Sequence, residues 1–174
     1  MKYLLPLTIA LCLSLTAEAQ KAYTTSKDEE TGATIFKGQV TLADLQEEPS
    51  FGWLKKGEAA YTPDSNAIKF LRKELPVYTI VVLMGTWCDD SQFLIPKLSK
   101  TLEAVKFPMK QFVMYGVDRA KQTGGMESKL YDVKRVPTII LYKGNIEKGR
   151  IVESVKRSIE TDLVQLIQQG SAQE

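Results

Sequence analysis

Histidine is absent from the 174 residues of this chain. Without imidazole, serine–histidine–aspartate and cysteine–histidine nucleophile pairs are excluded, and so is every zinc site that needs a histidine ligand. Cysteine is nearly absent as well: only Cys12 and Cys88 occur, and two thiolates alone do not make a zinc site. No cofactor or metal ligand set stands out. Neither sign of charge dominates, since 23 Lys and Arg are balanced against 21 Asp and Glu for a net charge of +2. The basic residues form no block, which argues against a nucleic-acid partner. Any nucleophile here must be activated by backbone dipoles or by carboxylate, lysine, tyrosine or hydroxyl neighbours.

What is present is the composition of an ordinary folded domain, with 44% hydrophobic and 25% charged residues. The length fits one domain with a proper core. Its start has a different character. Met1-Lys2, an apolar run from Leu4 to Leu15 and the small-residue site Ala17-Glu18-Ala19 follow the layout of a secretory signal peptide. The apolar run is short of the ~20 residues that a membrane-spanning helix needs, so no stable membrane insertion is expected after cleavage. Residues 1–19 are therefore read as a signal peptide, and the mature protein as periplasmic or secreted. The bulky Leu11 beside Cys12 argues against lipid attachment there. Loss of Cys12 would leave Cys88 as the single sulfhydryl of a chain in a disulfide-permissive compartment, with no internal disulfide to form.

Residues 20–33 are polar and without apolar period, which predicts a flexible leader. Residues 34–61 read as an N-terminal extension, with a first strand at Thr34 to Thr41 and a short helix or loop packing Phe51, Trp53 and Leu54. From residue 62 the pattern sharpens. Thr62 and Pro63 have the types of an N-cap and first helical residue, and Ile68, Leu71 and Leu75 share one face of the helix that follows. Val77 to Met84 is a nearly continuous β-branched and apolar run, the pattern of a central strand buried on both faces. Leu94, Leu98, Leu102 and Val105 recur at helical spacing, with Pro96 predicting a kink. A strand from Phe112, a short helix around Ser128, a hairpin of 138–142 with 150–155, and a last amphipathic helix through Ile159, Leu163 and Ile167 complete the chain. The order predicts an α/β domain in which βαβ units feed a terminal hairpin, so that a parallel half meets an antiparallel half in one sheet.

Trp87-Cys88 directly follows the central strand, Pro96 lies eight residues after Cys88, and Val136-Pro137-Thr138 precedes a strand. On these residues, and on the terminal segment YKGNIEKGRIVE, the chain resembles the thioredoxin family over roughly residues 62–170. The resemblance implies a thioredoxin-like fold over 62–174, a central mixed β-sheet flanked by helices. It also implies a nucleophilic role for Cys88, a cis peptide bond at Val136-Pro137, and a substrate groove formed by Trp87, Val136 and Pro137. Three departures stand out. The family's second cysteine is Ser91 here, its buried acid six residues before the nucleophile is Val82, and its lysine on the next strand is Met114.

A thiol at a helix N-terminus gains about 0.3–1 kcal/mol of thiolate stabilisation from the helix dipole. Asp89 and Asp90 oppose it, each by about 0.7 kcal/mol at a separation of ~6 Å in a water-like dielectric. The two effects are comparable, which predicts a modestly reactive thiol. Ser91 can hydrogen-bond a thiolate or cap the helix, but its hydroxyl cannot resolve a mixed disulfide. The sequence thus favours a monothiol thiol-disulfide oxidoreductase or isomerase acting on cysteine-containing proteins or extended peptides, with an external thiol reductant to release the product. The alternative is a non-catalytic thioredoxin-like peptide or protein binding module. A thiol peroxidase is weaker, since no threonine or arginine pattern flanks Cys88. For Asp89-Asp90 helix-charge compensation outranks a metal site shared with Asp118.

Overall fold

A computed structural model describes residues 21–171; the expected signal segment and Cys12 lie outside them. Among the described residues, β1 (Tyr23–Lys27), β2 (Thr34–Val40), β3 (Thr79–Met84), β4 (Phe112–Gly116), β5 (Thr138–Lys143) and β6 (Ile146–Val152) form one sheet in the order β1-β2-β4-β3-β5-β6. The helices are α1 (Leu42–Glu47), α2 (Gly52–Ala59), α3 (Ser65–Glu74), α4 (Asp89–Val105), α5 (Glu127–Leu130) and α6 (Ile159–Ser171). None of the described helices is long and apolar enough to cross a membrane.

The apolar run read as a central strand is β3, parallel to β4 on one side and antiparallel to β5 on the other. A parallel pair needs a long crossover, and the 17 residues of α4 provide it. The sheet is mixed, but its parallel part is smaller than the element order predicted. Only β3 and β4 run parallel, because β2 joins β4 antiparallel and β1 joins β2 antiparallel.

Alternation along β3 explains the run of buried residues. Ile80, Val82 and Met84 face a large core shared with Leu54, Leu71, Leu98, Leu102, Leu163 and other apolar residues of α2, α3, α4 and α6. Val81 and Leu83 face a smaller cluster with Val117, Val133, Val136 and Ile140, against which Trp87 and Cys88 pack. The site thus sits on the rim of the smaller core, at the C-terminal end of β3.

Three sequence expectations change. The flexible leader expected over 20–33 is ordered where the structure describes it, since Tyr23–Lys27 pairs with all of Thr34–Gly38. One ring anchors that strand: Tyr23 is buried and stacks on Phe36 at 4.4 Å between centroids. The connecting turn is closed by Asp28 N–H to Ala33 O at 2.8 Å and by Thr31 N–H to the Asp28 carboxylate at 2.9 Å. The four remaining strand residues are exposed, so no apolar alternation marked them. Residues 34–61 do pack on the domain as expected: Phe36, Val40, Leu45, Phe51 and Leu54 belong to the large core and Trp53 packs against it. The second change is at α3, whose N-cap is Asp64 rather than Thr62: its carboxylate accepts the Ala67 N–H at 2.8 Å. The third is the terminal hairpin, which turns tightly at Gly144-Asn145, so that β6 begins at Ile146 instead of Arg150.

Buried Glu160 ties the start of α3 to α6, accepting from the Asp64 N–H at 2.9 Å and the Tyr61 hydroxyl at 2.7 Å. Burial by itself would raise its carboxyl, but these donors outweigh it and hold the group below the ordinary glutamate value. A depressed carboxylate stabilises the fold above its unfolded value, about 4.3, and this contribution fades as pH falls towards the folded value. Glu160→Gln should therefore lower stability at pH 7 by on the order of 1–2 kcal/mol and flatten the decline of Tm below about pH 4.5, read by thermal denaturation across pH 3–7.

Candidate functional site

Cys88 is the N-cap residue of α4, with extended backbone (φ −95°, ψ 123°). Its carbonyl accepts the Gln92 N–H at 2.9 Å, and its own N–H donates to Gly85 O at 3.0 Å. The side chain makes no capping bond and is left partly exposed. The thiol instead points across the rim and donates to Val136 O at 3.4 Å. Val136-Pro137 is a cis peptide bond, as the resemblance implied. Helix, thiol and cis-proline segment therefore meet at one point, although Cys88 and Val136 are 48 residues apart.

Trp87 packs beside them and donates its indole N–H to Val117 O at 2.9 Å. Its ring folds back over Gly85, where an added Cβ would lie 2.7 Å from the indole. The loop between β3 and α4 is also tied to β2. Buried Thr86 donates to Thr34 O at 2.8 Å and accepts from the Phe36 N–H at 3.2 Å.

Ser91 does not do what the sequence suggested. Its hydroxyl is fully buried and accepts the Gly85 N–H at 3.2 Å, so it neither caps the helix nor bonds to Cys88. It braces the loop under the thiol. Val82 and Met114 are direct partners across β3 and β4 and both are buried. The positions that would carry an acid and a lysine are thus one apolar contact. Asp89 and Asp90 lie in the first turn of α4, where negative charge complements the helix dipole. Asp118 is not with them: it pairs with Lys37 at 2.6 Å and accepts the Gln122 N–H at 2.9 Å. Among the described residues no cluster of three or more potential metal ligands occurs.

The sequence reading missed Arg119. Its guanidinium lies over the Trp87 ring, 4.6 Å from the centroid, with the Lys121 ammonium at 5.6 Å. Arg119 is held by Asp28, through Nε to Oδ2 at 2.7 Å and Nη2 to Oδ1 at 3.0 Å. The Asp28 side chain is 2% exposed. Its carboxyl is held well below the usual range, first by the Arg119 bond and then by Thr31. No local motif announces this pair, which joins residues 91 positions apart. An arginine within reach of a cation–π contact at the residue before the cysteine could have been found only from the fold.

The architecture and the rim site agree with a known family: residues 65–169 match the family model described as Thioredoxin. The chain belongs to the thioredoxin family. Among solved structures it is similar to an HIV epitope-scaffold (13% identity, TM-score 0.52, covering 76% of this chain and 84% of that one). It is also similar to a protein of unknown function from Pseudomonas aeruginosa (14% identity, TM-score 0.47, 76% and 78% covered). A third similar structure is thioredoxin O2 from Arabidopsis thaliana in the oxidised state (20% identity, TM-score 0.37, 64% and 87% covered). No curated protein matches the chain. Membership of the thioredoxin family supports a thiol-disulfide oxidoreductase type of function.

Proposed function

We propose that this thioredoxin-family protein is a periplasmic or secreted monothiol oxidoreductase that exchanges disulfides through Cys88. The observation that carries the reading is the position of Sγ. It is partly exposed at the N-cap of α4, 3.4 Å from the carbonyl that precedes the cis-proline. There the sulfur meets the backbone along which an extended segment of a cysteine-containing protein could lie, with Trp87, Val136 and Pro137 as groove walls.

In the exchange, the Cys88 thiol gives its proton to solvent and the thiolate attacks one sulfur of a substrate disulfide. The substrate S–S bond breaks, one substrate sulfur leaves as thiolate, and the other is bonded to Cys88. Ser91 supplies no second sulfur. An external thiolate must attack the Cys88 sulfur, releasing the second substrate thiolate. A second external thiolate then frees Cys88 as the two external sulfurs become a disulfide. The substrate gains two electrons and two protons, and two external thiols are oxidised.

The test is a challenge of the reduced mature protein with a disulfide-linked peptide, followed by mass spectrometry. One equivalent of covalent adduct should form and persist until an external thiol is added. If Cys88 is alkylated only after denaturation and no adduct forms, the alternative holds: a non-catalytic module that binds peptides or proteins by the same groove. The apolar contact of Val82 with Met114 is the observation that favours this second reading.

A further inference from the structure

Two features adjoin the Cys88 thiol. Its proton is engaged by Val136 O, a bond that only the neutral thiol makes. Asp89 and Asp90 place two exposed carboxylates in the adjacent helical turn. The other charged groups around the rim come from separate elements. The loop after β4 brings Arg119 and Lys121 over Trp87. The segment before the cis-proline brings Arg135, which is paired with Glu153 at 2.6 Å. Lys37 is paired with Asp118 at 2.6 Å. Arg119 is the cation whose position is fixed by a covered carboxylate, and it is stacked on the residue directly before Cys88.

We propose that Asp28 and Arg119 form a positioning pair for the Cys88 site, in which the N-terminal hairpin holds the guanidinium against Trp87 so that its charge favours the thiolate. The inference rests on the reading of Cys88 as an exchanging sulfur. Three features of the geometry support it. The two-point contact of Nε and Nη2 with the Asp28 carboxylate sets the plane of the guanidinium as well as its place. The Asp28 oxygens are further held by the Thr31 N–H at 2.9 Å and the Thr31 hydroxyl at 2.8 Å, so the anchor does not swing with solvent. Trp87 is itself fixed at its other edge by Val117 O. Glu30 approaches the same guanidinium from the exposed side, at 3.5 Å. Arg119 acts through Trp87 and through space.

The experiment compares Arg119→Gln, Arg119→Lys and Asp28→Asn with the parent protein, measuring the rate of Cys88 alkylation by iodoacetamide from pH 5 to 10. Arg119→Gln should lower the neutral-pH rate about three- to ten-fold, the effect of one partly screened unit charge near the thiolate, and move the pH midpoint of the profile upward. Arg119→Lys keeps the charge without the planar fork and should recover part of the rate. Asp28→Asn frees the arginine from its anchor and also removes an anion, a change that by itself would raise the rate; a rate below the parent's therefore supports the pair, and a rate at or above it counts against the anchor. A midpoint and rate unchanged in a folded Arg119→Gln variant overturn the inference. If that variant fails to fold, a parent-like midpoint and rate in a folded Arg119→Met variant, which also removes the charge, overturn it equally. The disulfide-peptide challenge, run separately on the parent, separates the two ideas. A shifted alkylation profile in a protein that forms no peptide adduct upholds the positioning pair and rejects exchange; adduct formation with superimposable profiles does the reverse.

Discussion

Ser91→Cys should turn a protein that halts at the mixed disulfide into one that clears it. Positions 88 and 91 are three residues apart across the start of α4, a spacing that makes side chains neighbours on a helix. The Ser91 side chain already points beneath the loop that carries the thiol, bonded to the Gly85 N–H. A sulfur placed there can attack the Cys88 sulfur of the adduct, forming an intramolecular disulfide and expelling the peptide as a thiol. The gain is one of effective concentration. A tethered thiol competes at about millimolar or higher, so release should be at least about a hundredfold faster than with 10 µM external thiol. The substitution sacrifices the Gly85 bond, a loss of about 1 kcal/mol, which leaves the fold intact. The readout is peptide release after adduct formation with no external thiol present. Persistence of the adduct in the folded variant would mean that the loop does not present position 91 to Cys88.

The largest effect on stability is expected from Gly116→Ala. Gly116 ends β4 opposite Gly38 of β2. A Cβ added there would lie 2.1 Å from Phe36 O and 2.9 Å from its carbonyl carbon. Both are backbone atoms, so no side-chain rotation relieves the overlap and β2 must move off β4. The expected loss is about 3 kcal/mol or more, corresponding to a fall in Tm of about 6–12 °C. Gly52→Ala is the control: it has helical backbone (φ −54°, ψ −18°) and open space around the new methyl group. It should leave Tm unchanged or slightly raised. Because β2 carries the hairpin that ends in Asp28, Gly116→Ala should also slow Cys88 alkylation at neutral pH. The two losses share one cause.

The parts of this molecule that could be read from sequence are those whose side chains record their surroundings locally. The β-branched run of β3 could only be buried on both faces, and Leu94, Leu98, Leu102 and Val105 could only share a helical face. Trp87-Cys88 and Val136-Pro137, read through family resemblance, met within 3.4 Å in the structure. The first strand escaped because it is held by one ring and a ladder of backbone bonds, neither of which leaves a period in the sequence. At α3, Thr62-Pro63 has the chemistry of a helix start, but Glu160 from α6 holds the Asp64 N–H and the helix begins two residues later. Ser91, standing where the family has its second cysteine, reads as a partner of the thiol or a helix cap, and the loop N–H of Gly85 claims it. Arg119 and Asp28 are each unremarkable in their own neighbourhoods. What joins them is the antiparallel docking of β2 on β4, which no local pattern specifies.

That docking has a consequence for the order in which the protein is made. The β1–β2 hairpin is among the first folded segments to be synthesised, yet the strand it joins in the sheet and the arginine it holds come from well beyond Cys88. Long-range pairings of this kind form late, after the cost of closing the intervening loop has been met. A growing chain therefore exposes Cys88 before Arg119 has arrived and before Val136 has reached the thiol. The sulfur acquires its final surroundings only when the sheet is complete, so an unfinished chain carries a cysteine much closer in character to a free one.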